Sequence, residues 1–229
     1  MKPTTTTKRN SRTKGRPDSA EGVGRDALLE AAVQELRSAT PESLTLAGVA
    51  ARAGVHPALI RYYFGNKDGL LRDVAQLLVE RGQEIARPKI ESNASLDEKL
   101  NDRLRSMIEL VQANPHFHHL ILDQVYSQAD PASQDNLLGR ITARGMRLTI
   151  AMLHDDSGAR VRRIDPRFLH VAIIGLTEFF LTAKPLLLEL FGEDADMEEL
   201  KVRYIDFLND LILHGITEST EQIAPPMQA

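Results

Sequence analysis

Apolar residues recur at helical spacing along most of the chain, and Gly or Pro separates one apolar segment from the next. Within a segment the apolar side chains stand three or four positions apart, which is typical of helices that bury one face. The pattern predicts helices over the ranges 25–38, 46–53, 57–64, 67–87, 95–114, 115–126, 131–154, 166–184 and 197–217.

Five residues predict where individual helices begin and end. Thr45 is the predicted N-cap of the second helix, and Gly54 ends that helix in a left-handed conformation without steric penalty. Pro57 suits the first turn of the third helix, where its missing N–H has no partner in any case. His56 is then the predicted N-cap, although Ser or Thr is preferred there. Pro88 predicts the end of the fourth helix.

These elements predict an all-α fold with two domains. The short helices form an N-terminal domain, residues 25–72, and the longer helices form a larger domain, residues 73–220. Residues 1–24 are basic and lack apolar periodicity, so we expect a disordered arm there. Residues 221–229 are predicted to form a flexible tail.

The net charge of −4 hides a difference between the two ends of the chain. Residues 1–72 carry twelve Lys or Arg and seven Asp or Glu, for a charge of +5. The remaining residues carry 16 basic and 25 acidic side chains, for a charge of −9. A basic N-terminal region suits contact with phosphate, although chance scatter of charges is the alternative.

The chain has no Cys, which excludes disulfides, thiolate metal sites and a cysteine nucleophile. No apolar run reaches the length of about 18 residues that a membrane-spanning helix needs. The basic N-terminus also lacks the apolar segment of a secretory signal. These features predict a cytoplasmic protein with no membrane partner.

Residues 45–64 predict a short helix, a tight turn and a second short helix, which is the layout of a helix-turn-helix motif. The second helix of such a motif enters the major groove, so we expect double-stranded DNA as a partner.

The same region resembles the N-terminal domain of TetR-type (TetR/AcrR-like) transcriptional regulators over residues 25–72. The residues that carry the resemblance are Ala53-Gly54-Val55, Tyr63-Phe64, Lys67-Asp68 and Leu70-Leu71. The resemblance implies a homodimer, a palindromic operator and a helical regulatory and dimerisation domain. It also implies a repressor that an unidentified small-molecule effector releases from DNA.

Three residues match family positions that contact the DNA backbone. Tyr63 stands where the family has a Tyr on the phosphate chain, and Thr45 stands where the second helix often binds phosphate. Lys67 opens the fourth helix, where the helix dipole also favours an anion. For Tyr63, packing beneath the first helix is the alternative.

The recognition helix departs from the family pattern at His56, where Ser or Thr is usual, and at Arg61, where an aromatic residue is frequent. Arg61 can pair with guanine or with phosphate, and Tyr62 beside it is a candidate for base readout. The candidates for apolar contact with thymine methyl groups are Pro57, Ala58 and Leu59.

In the arm, Gly15-Arg16-Pro17 resembles the core of segments that read the minor groove, because a flat Arg enters that groove with little backbone bulk around it. The arm candidates are Arg12, Lys14 and Arg16. A solubilising tail is the alternative.

The larger domain contains the candidates for an effector pocket, which are Met107, Phe117, Tyr126, Glu178 and Phe179. Glu178 lies within an apolar run, and a buried carboxylate needs a partner or a ligand. An ion pair with an Arg of the 131–154 helix, or simple solvent exposure, is the alternative.

The 166–184 helix is apolar nearly all round, so it must be covered on more than one side. The last helix carries two apolar stripes. We therefore predict that these two helices pair with their copies in a four-helix homodimer interface. The interface candidates are Phe168, Ala172, Gly175, Phe207 and Leu211.

Enzyme chemistry finds little support in the sequence. The phosphate-loop, GxGxxG, GxSxG and HExxH motifs are missing, so we assign no catalytic residue, cofactor or metal. His116, His118, His119 and Asp123 lie close enough to suggest a metal, but ordinary histidines are the preferred interpretation. The remaining alternatives are an architectural DNA-binding protein without an effector and a helical adaptor.

Overall fold

The computed structural model describes residues 24–130, 136–154 and 161–217. It confirms the all-α fold, and a single bridge between Val161 and Thr217 is the strand-like pairing it contains in those ranges. The helices are α1 (Arg25–Glu35), α2 (Leu46–Ala53), α3 (Pro57–Phe64), α4 (Lys67–Ile90), α5 (Leu96–Ala113), α6 (Phe117–Ile121), α7 (Leu137–Leu153), α8 (Pro166–Thr182), α9 (Lys184–Phe191) and α10 (Met197–Ile216).

Three predicted segments lie wholly or partly outside the described residues. They are the basic arm apart from Gly24, the C-terminal tail, and the first turn of the predicted 131–154 helix.

The N-terminal helices α1, α2 and α3 close around one small core with the start of α4. Leu28, Val49, Ile60 and Leu70 supply its centre, and each is fully buried. Ala50, 1% exposed, lets α2 lie close to its neighbours because its side chain is a single methyl group. Short helices of this kind are marginal alone, so their shared core is what holds them.

The predicted caps of α2 and α3 are confirmed. The Thr45 hydroxyl oxygen accepts from the Gly48 N–H at 3.0 Å, and Gly54 has φ 67° in the left-handed region. The unusual cap also forms, because His56 Nδ1 accepts from the Ala58 N–H at 3.2 Å. Pro57 follows in the first turn as expected.

Two predicted helix ends are wrong by a few residues. The first helix ends at Glu35, because the N–H groups of Arg37 and Ser38 donate to carbonyls three residues back and tighten the chain into a turn. The fourth helix continues past Pro88 to Ile90. Pro88 lies in the last turn, where it removes one hydrogen bond, and the burial of Ile90 at 1% exposure favours continuation.

In the larger domain α5 and α7 pack against α4, and α8 and α10 pack against α5. Leu100, Leu104 and Ile108 of α5 form its centre with Ile205 of α10, and each is fully buried. The predicted domain boundary after residue 72 falls inside α4, and the apolar core of the N-terminal helices extends past it to α6 and α7. The two domains therefore share one continuous helix.

Two other predicted helices are interrupted. α6 passes into a π-helical turn over Leu122–Tyr126, where the Ser127 N–H donates to the Leu122 carbonyl five residues back. The apolar 166–184 helix ends at Thr182, and α9 leaves it at 72°. No single helix in the described ranges is long and apolar enough to span a membrane, and the bent pair α8 and α9 meets that test only when taken together.

We predict that Gly69→Ala destabilises the fold by about 1–3 kcal/mol, because an added Cβ would collide with the Phe64 carbonyl oxygen, which is backbone and cannot swing away. Urea unfolding followed by circular dichroism measures the effect. Gly215→Ala is the matched control, since a Cβ there has open space and a helical Gly→Ala change is neutral or stabilising. Equal stability of the two variants would contradict the prediction.

Candidate nucleic-acid interface and body cavity

The outer face of α3 is polar and aromatic, whereas its inner face is buried. Ala58 and Arg61 are exposed, and Tyr62 is 80% exposed. Ile60 and Phe64 face the core and are 0% and 8% exposed. An aromatic ring as exposed as Tyr62 gains little from folding, so this face is available for a partner.

Leu59 is a partial correction, because it is half-buried and packs against the core of the N-terminal helices. Only part of its side chain is available to DNA. Pro57 is also half-buried, so Ala58 is the more accessible of the three predicted apolar contacts.

Tyr63 lies at the edge of the α3 face. Its ring is 39% exposed, stands edge-on to Tyr62 at 5.2 Å between centroids, and is tilted against Phe64 at 6.2 Å. The Tyr63 ring is therefore partly packed against its neighbours, but enough of it is exposed to contact a partner.

Lys67 opens α4 and is half-buried. Its Nζ donates to the Glu42 carbonyl oxygen at 2.5 Å, which ties the turn before α2 to the start of α4. The Asn66 side chain caps this helix by accepting from the Gly69 N–H at 2.8 Å. The ammonium group has three donors, so one internal hydrogen bond leaves others for an anion.

Ion pairs hold the N-terminal helices in a fixed arrangement. Arg25 pairs with Asp73 at 2.6 Å, joining α1 to α4, and its guanidinium also lies 5.3 Å from the centre of the Phe64 ring. Arg52 pairs with Glu35 at 2.6 Å, joining α2 to α1. These contacts hold α1 against α2, the end of α3 and the start of α4.

The larger domain contains a cavity of about 80 Å³ between α4, α5, α6, α7 and α8. Four of the five predicted pocket residues line it, namely Met107, Phe117, Tyr126 and Glu178. Val79, Gly82 and Gln83 of α4 also form part of its wall. The cavity therefore touches the same helix that begins beside α3.

Phe179 is a correction, because it is 61% exposed and does not line the cavity. His170, Ile174 and Glu178 line it, and they follow one another at intervals of four residues along α8. Phe179 is one position further on and so is rotated by about 100° onto the outer face of the helix.

Glu178 pairs with His118 rather than with an Arg of α7. Its Oε2 lies 3.3 Å from His118 Nδ1, and its side chain is 14% exposed. Arg144 of α7 lies 3.8 Å from Glu80 and 3.5 Å from Glu84 of α4 instead. Within the described residues, no cluster of His and carboxylate groups is arranged to hold a metal ion.

Tyr126 closes the cavity on the side of the π-helical turn. Burial raises the pKa of its hydroxyl, and the negative charge of Glu178 raises that pKa further. Tyr126 therefore stays protonated at neutral pH and can donate a hydrogen bond into the cavity.

Three buried polar residues of the cavity wall were not predicted, namely Gln83, Arg103 and His170. Arg103 is 3% exposed, and burial lowers its pKa to about 10. A signal was present, because Arg103 stands three residues after Leu100 and four before Met107, on the apolar stripe of α5. A polar residue on such a stripe is informative.

His170 is buried and neutral. Its Nδ1 lies 2.9 Å from Thr149 Oγ1, and burial, followed by the charge of Arg103, lowers its pKa to about 4. Gly145 makes room for it, since a Cβ there would stand 2.8 Å from the imidazole Cε1.

The predicted interface residues lie on an exposed apolar face formed by α8 and α10. Phe168 is 78% exposed, Phe207 59% and Leu211 53%, and Ala172 and Gly175 are exposed between them. Phe179 extends the same face. Large apolar side chains exposed together on two helices indicate an interaction site more often than a solvated face.

A helix-turn-helix with an outward-facing aromatic and basic second helix defines the chain as a helix-turn-helix DNA-binding protein. Two family profiles agree with this class. "Bacterial regulatory proteins, tetR family" matches residues 28–74, and "Tetracyclin repressor-like, C-terminal domain" matches residues 97–212. The chain belongs to the TetR family of transcriptional regulators.

Individual proteins support the same assignment. HTH-type transcriptional regulator BetI 1 of Chromohalobacter salexigens is 30% identical over 93 residues, which are 40% of this chain and 46% of that protein. The chain thus spans about half the length of this curated relative.

Two solved structures share the fold. A protein of unknown function from a Rhodococcus species has a TM-score of 0.68 at 16% identity, covering 89% of this chain and 100% of that one. The transcriptional regulator FadR of Bacillus subtilis in complex with stearoyl-CoA has a TM-score of 0.56 at 17% identity, covering 81% and 97%.

We predict that His170 makes the protein less stable as pH falls. Between about pH 6.5 and pH 4 the unfolded chain binds a proton at this residue that the folded chain does not, so stability drops by about 2 kcal/mol from pH 7.5 to pH 5. Urea unfolding at both pH values should show this drop reduced in His170→Gln. The exposed His119→Gln variant serves as the control and should keep the wild-type dependence. The same drop in His170→Gln as in the wild type would rule the assignment out.

Proposed function

We propose that the protein is a homodimeric repressor that a small-molecule effector releases from a palindromic operator. The observation that carries the proposal is that α4 begins beside the exposed recognition helix at Lys67 and forms the cavity wall at Val79, Gly82 and Gln83. A ligand that shifts this helix would move α3 as well. We place the protein in the cytoplasm, where the DNA is, and assign it no catalytic role.

For the DNA contacts, we propose that Thr45, Tyr63 and Lys67 bind phosphate. Thr45 precedes the first residue of α2, Tyr63 lies in α3, and Lys67 begins α4. Contacts with the DNA backbone at such positions orient a recognition helix. Arg61 and Tyr62 are proposed to reach base edges or phosphate from the exposed face of α3. The apolar contacts would come from Ala58, the edge of Pro57 and part of Leu59.

His56 has a double role in this proposal. Its Nδ1 caps α3, so the ring is held at the N-terminal end of the recognition helix, and the exposed side chain leaves Nε2 free to meet DNA. The arm residues Arg12, Lys14 and Arg16 lie outside the described residues, and their contact with the minor groove stays a prediction.

The homodimer is proposed to form through the outer face of α8 and α10. Phe168, Phe207 and Leu211 would be buried against their copies, while Ala172 and Gly175 let the helices approach closely. An isologous interface of this kind presents two copies of α3 with two-fold symmetry, which suits a palindromic site.

Effector binding is proposed to occur in the cavity of the larger domain. The FadR structure with stearoyl-CoA supports a ligand-responsive role, because a protein of the same fold is seen with a small molecule bound. Coupling between such sites is typically about 1–3 kcal/mol, or roughly 5- to 150-fold in DNA affinity. An architectural protein of the same fold would instead bind DNA with no preference for a palindrome and no response to any ligand.

We predict that Tyr63→Ala and Lys67→Ala each weaken DNA binding about tenfold without changing the oligomeric state. Loss of the Lys67 contact should also lower the slope of log affinity against log salt by about one, because one phosphate contact is lost. Fluorescence anisotropy with a duplex recovered by selection measures both effects.

Lys89→Ala is the control for these variants, since Lys89 lies at the opposite end of α4 and pairs with Asp102 at 3.0 Å. Urea unfolding checks that loss of the hydrogen bond from Lys67 to Glu42 has not unfolded the N-terminal helices. Wild-type affinity and salt slope in both folded variants would show that the phosphate contacts lie elsewhere.

We predict that Leu211→Glu converts the dimer to a monomer, because a carboxylate would be buried without a partner in the interface. Analytical ultracentrifugation measures the mass. Ile85→Glu is the matched control: Ile85 is a 62% exposed apolar side chain on α4, outside the proposed interface. A dimer that survives Leu211→Glu as well as Ile85→Glu does would place the interface on another surface.

A further inference from the structure

The cavity wall contains a buried cation for which the described ranges provide no counter-ion. Arg103 is 3% exposed, and its Nε has no hydrogen-bond partner. Burial alone shifts its pKa, so no carboxylate of the described residues acts on its guanidinium. An unpaired buried charge is costly, and proteins usually pair such a group or coordinate it. Arg103 therefore has a binding capacity that the fold itself does not use.

The neighbouring polar groups do not neutralise this charge. Glu178, the acidic residue of the cavity wall, lies 3.3 Å from His118 Nδ1 and has no electrostatic effect on Arg103. His170 is neutral at pH 7, because its pKa is about 4. Arg103 itself stays protonated, since burial lowers its pKa only to about 10.

Gln83 adds a second unused polar atom to the same wall. Its Nε2 donates to the Ile141 carbonyl oxygen at 3.0 Å, which fixes the amide, and its Oε1 has no partner. This atom needs a donor such as a ligand hydroxyl, so the argument for an anion rests on Arg103.

Apart from Tyr126 and Thr142, the rest of the cavity wall is apolar. Its hydrophobic lining includes Val79, Met107, Leu110, Ile121, Leu138 and Ile174. A ligand that fits this wall has a hydrocarbon body and one charged end.

We propose that the cavity binds a small amphipathic carboxylate, with the carboxylate on the Arg103 guanidinium and the hydrocarbon body against the apolar wall. The proposal deepens the proposed function, because it gives the chemical class of the effector, and it rests on that function only for the effect on DNA. An Arg103 site of this kind would bind a free acid in preference to its thioester, because the thioester has no charge at the carboxyl carbon.

Isothermal titration calorimetry of the full chain tests the ligand class with butyrate, hexanoate and octanoate against butyramide, hexanamide and octanamide. Each amide has the shape of its acid without the charge. We expect at least one acid to bind the wild-type protein about tenfold or more tighter than its amide, as loss of a charge-assisted hydrogen bond predicts. Equal affinity for acid and amide, or binding of neither, would overturn the proposal.

Arg103→Met tests the residue. The variant should lose the preference for the acid yet unfold at the same or a higher urea concentration than the wild type, since an unpaired buried charge is replaced by an apolar side chain. A merely structural Arg would instead give a less stable protein. Arg105→Met removes a charge from the same helix outside the cavity and should keep the preference. An acid preference that persists in Arg103→Met would place the carboxylate elsewhere.

Two further readouts separate this proposal from the proposed function. Acids that bind through Arg103 but leave DNA affinity unchanged would contradict the effector role and support the anion site. Release of DNA by a neutral ligand, with no binding of the acids, would support the effector role and contradict the anion site.

Discussion

The structure depends on the continuity of α4, one helix that is packed into two cores. Its first turns, with Leu70 and Val74, belong to the core of the N-terminal helices, and its last turn, with Ile90, belongs to the core of the larger domain. Its middle forms the cavity wall, and Lys67 and Gln83 lie about 24 Å apart along the axis. Because close-packed cores shift as units rather than deform, we propose that a displacement at the cavity would be carried to the recognition helix.

The second constraint is at the cavity, where buried polar side chains in the wall lower the stability of the fold. A well-packed core of this size would hold apolar side chains where Arg103, Gln83 and His170 stand. Unpaired buried groups in an otherwise consistent fold are typical of functional sites. The N-terminal domain differs, because its polar groups are satisfied internally by caps and ion pairs, and its unused surface faces outward on α3.

The fold was predictable because its signals are local. Thr45, Gly54 and Pro57 mark helix ends through their own backbone and side-chain chemistry, whatever surrounds them. The errors come from tertiary context, as at Pro88, where burial of the next turn outweighs one lost hydrogen bond. In the candidate site, Phe179 was misplaced because an apolar helix gives no sign of which face meets the cavity. Arg103 went unnoticed because a lone basic residue in a helix is usually solvated, and only its position on the stripe indicated burial.

We propose that the larger domain holds two copies of α3 at a fixed distance, so that both enter one face of the DNA. Selection of bound duplexes from a random pool by the purified full-length protein tests this most directly. We predict that the recovered sequences share an inverted repeat. The centres of its two half-sites should be separated by about one helical turn, roughly 10 base pairs, or by a multiple of it. Recovered sequences with a single half-site, or with no common sequence, would contradict it.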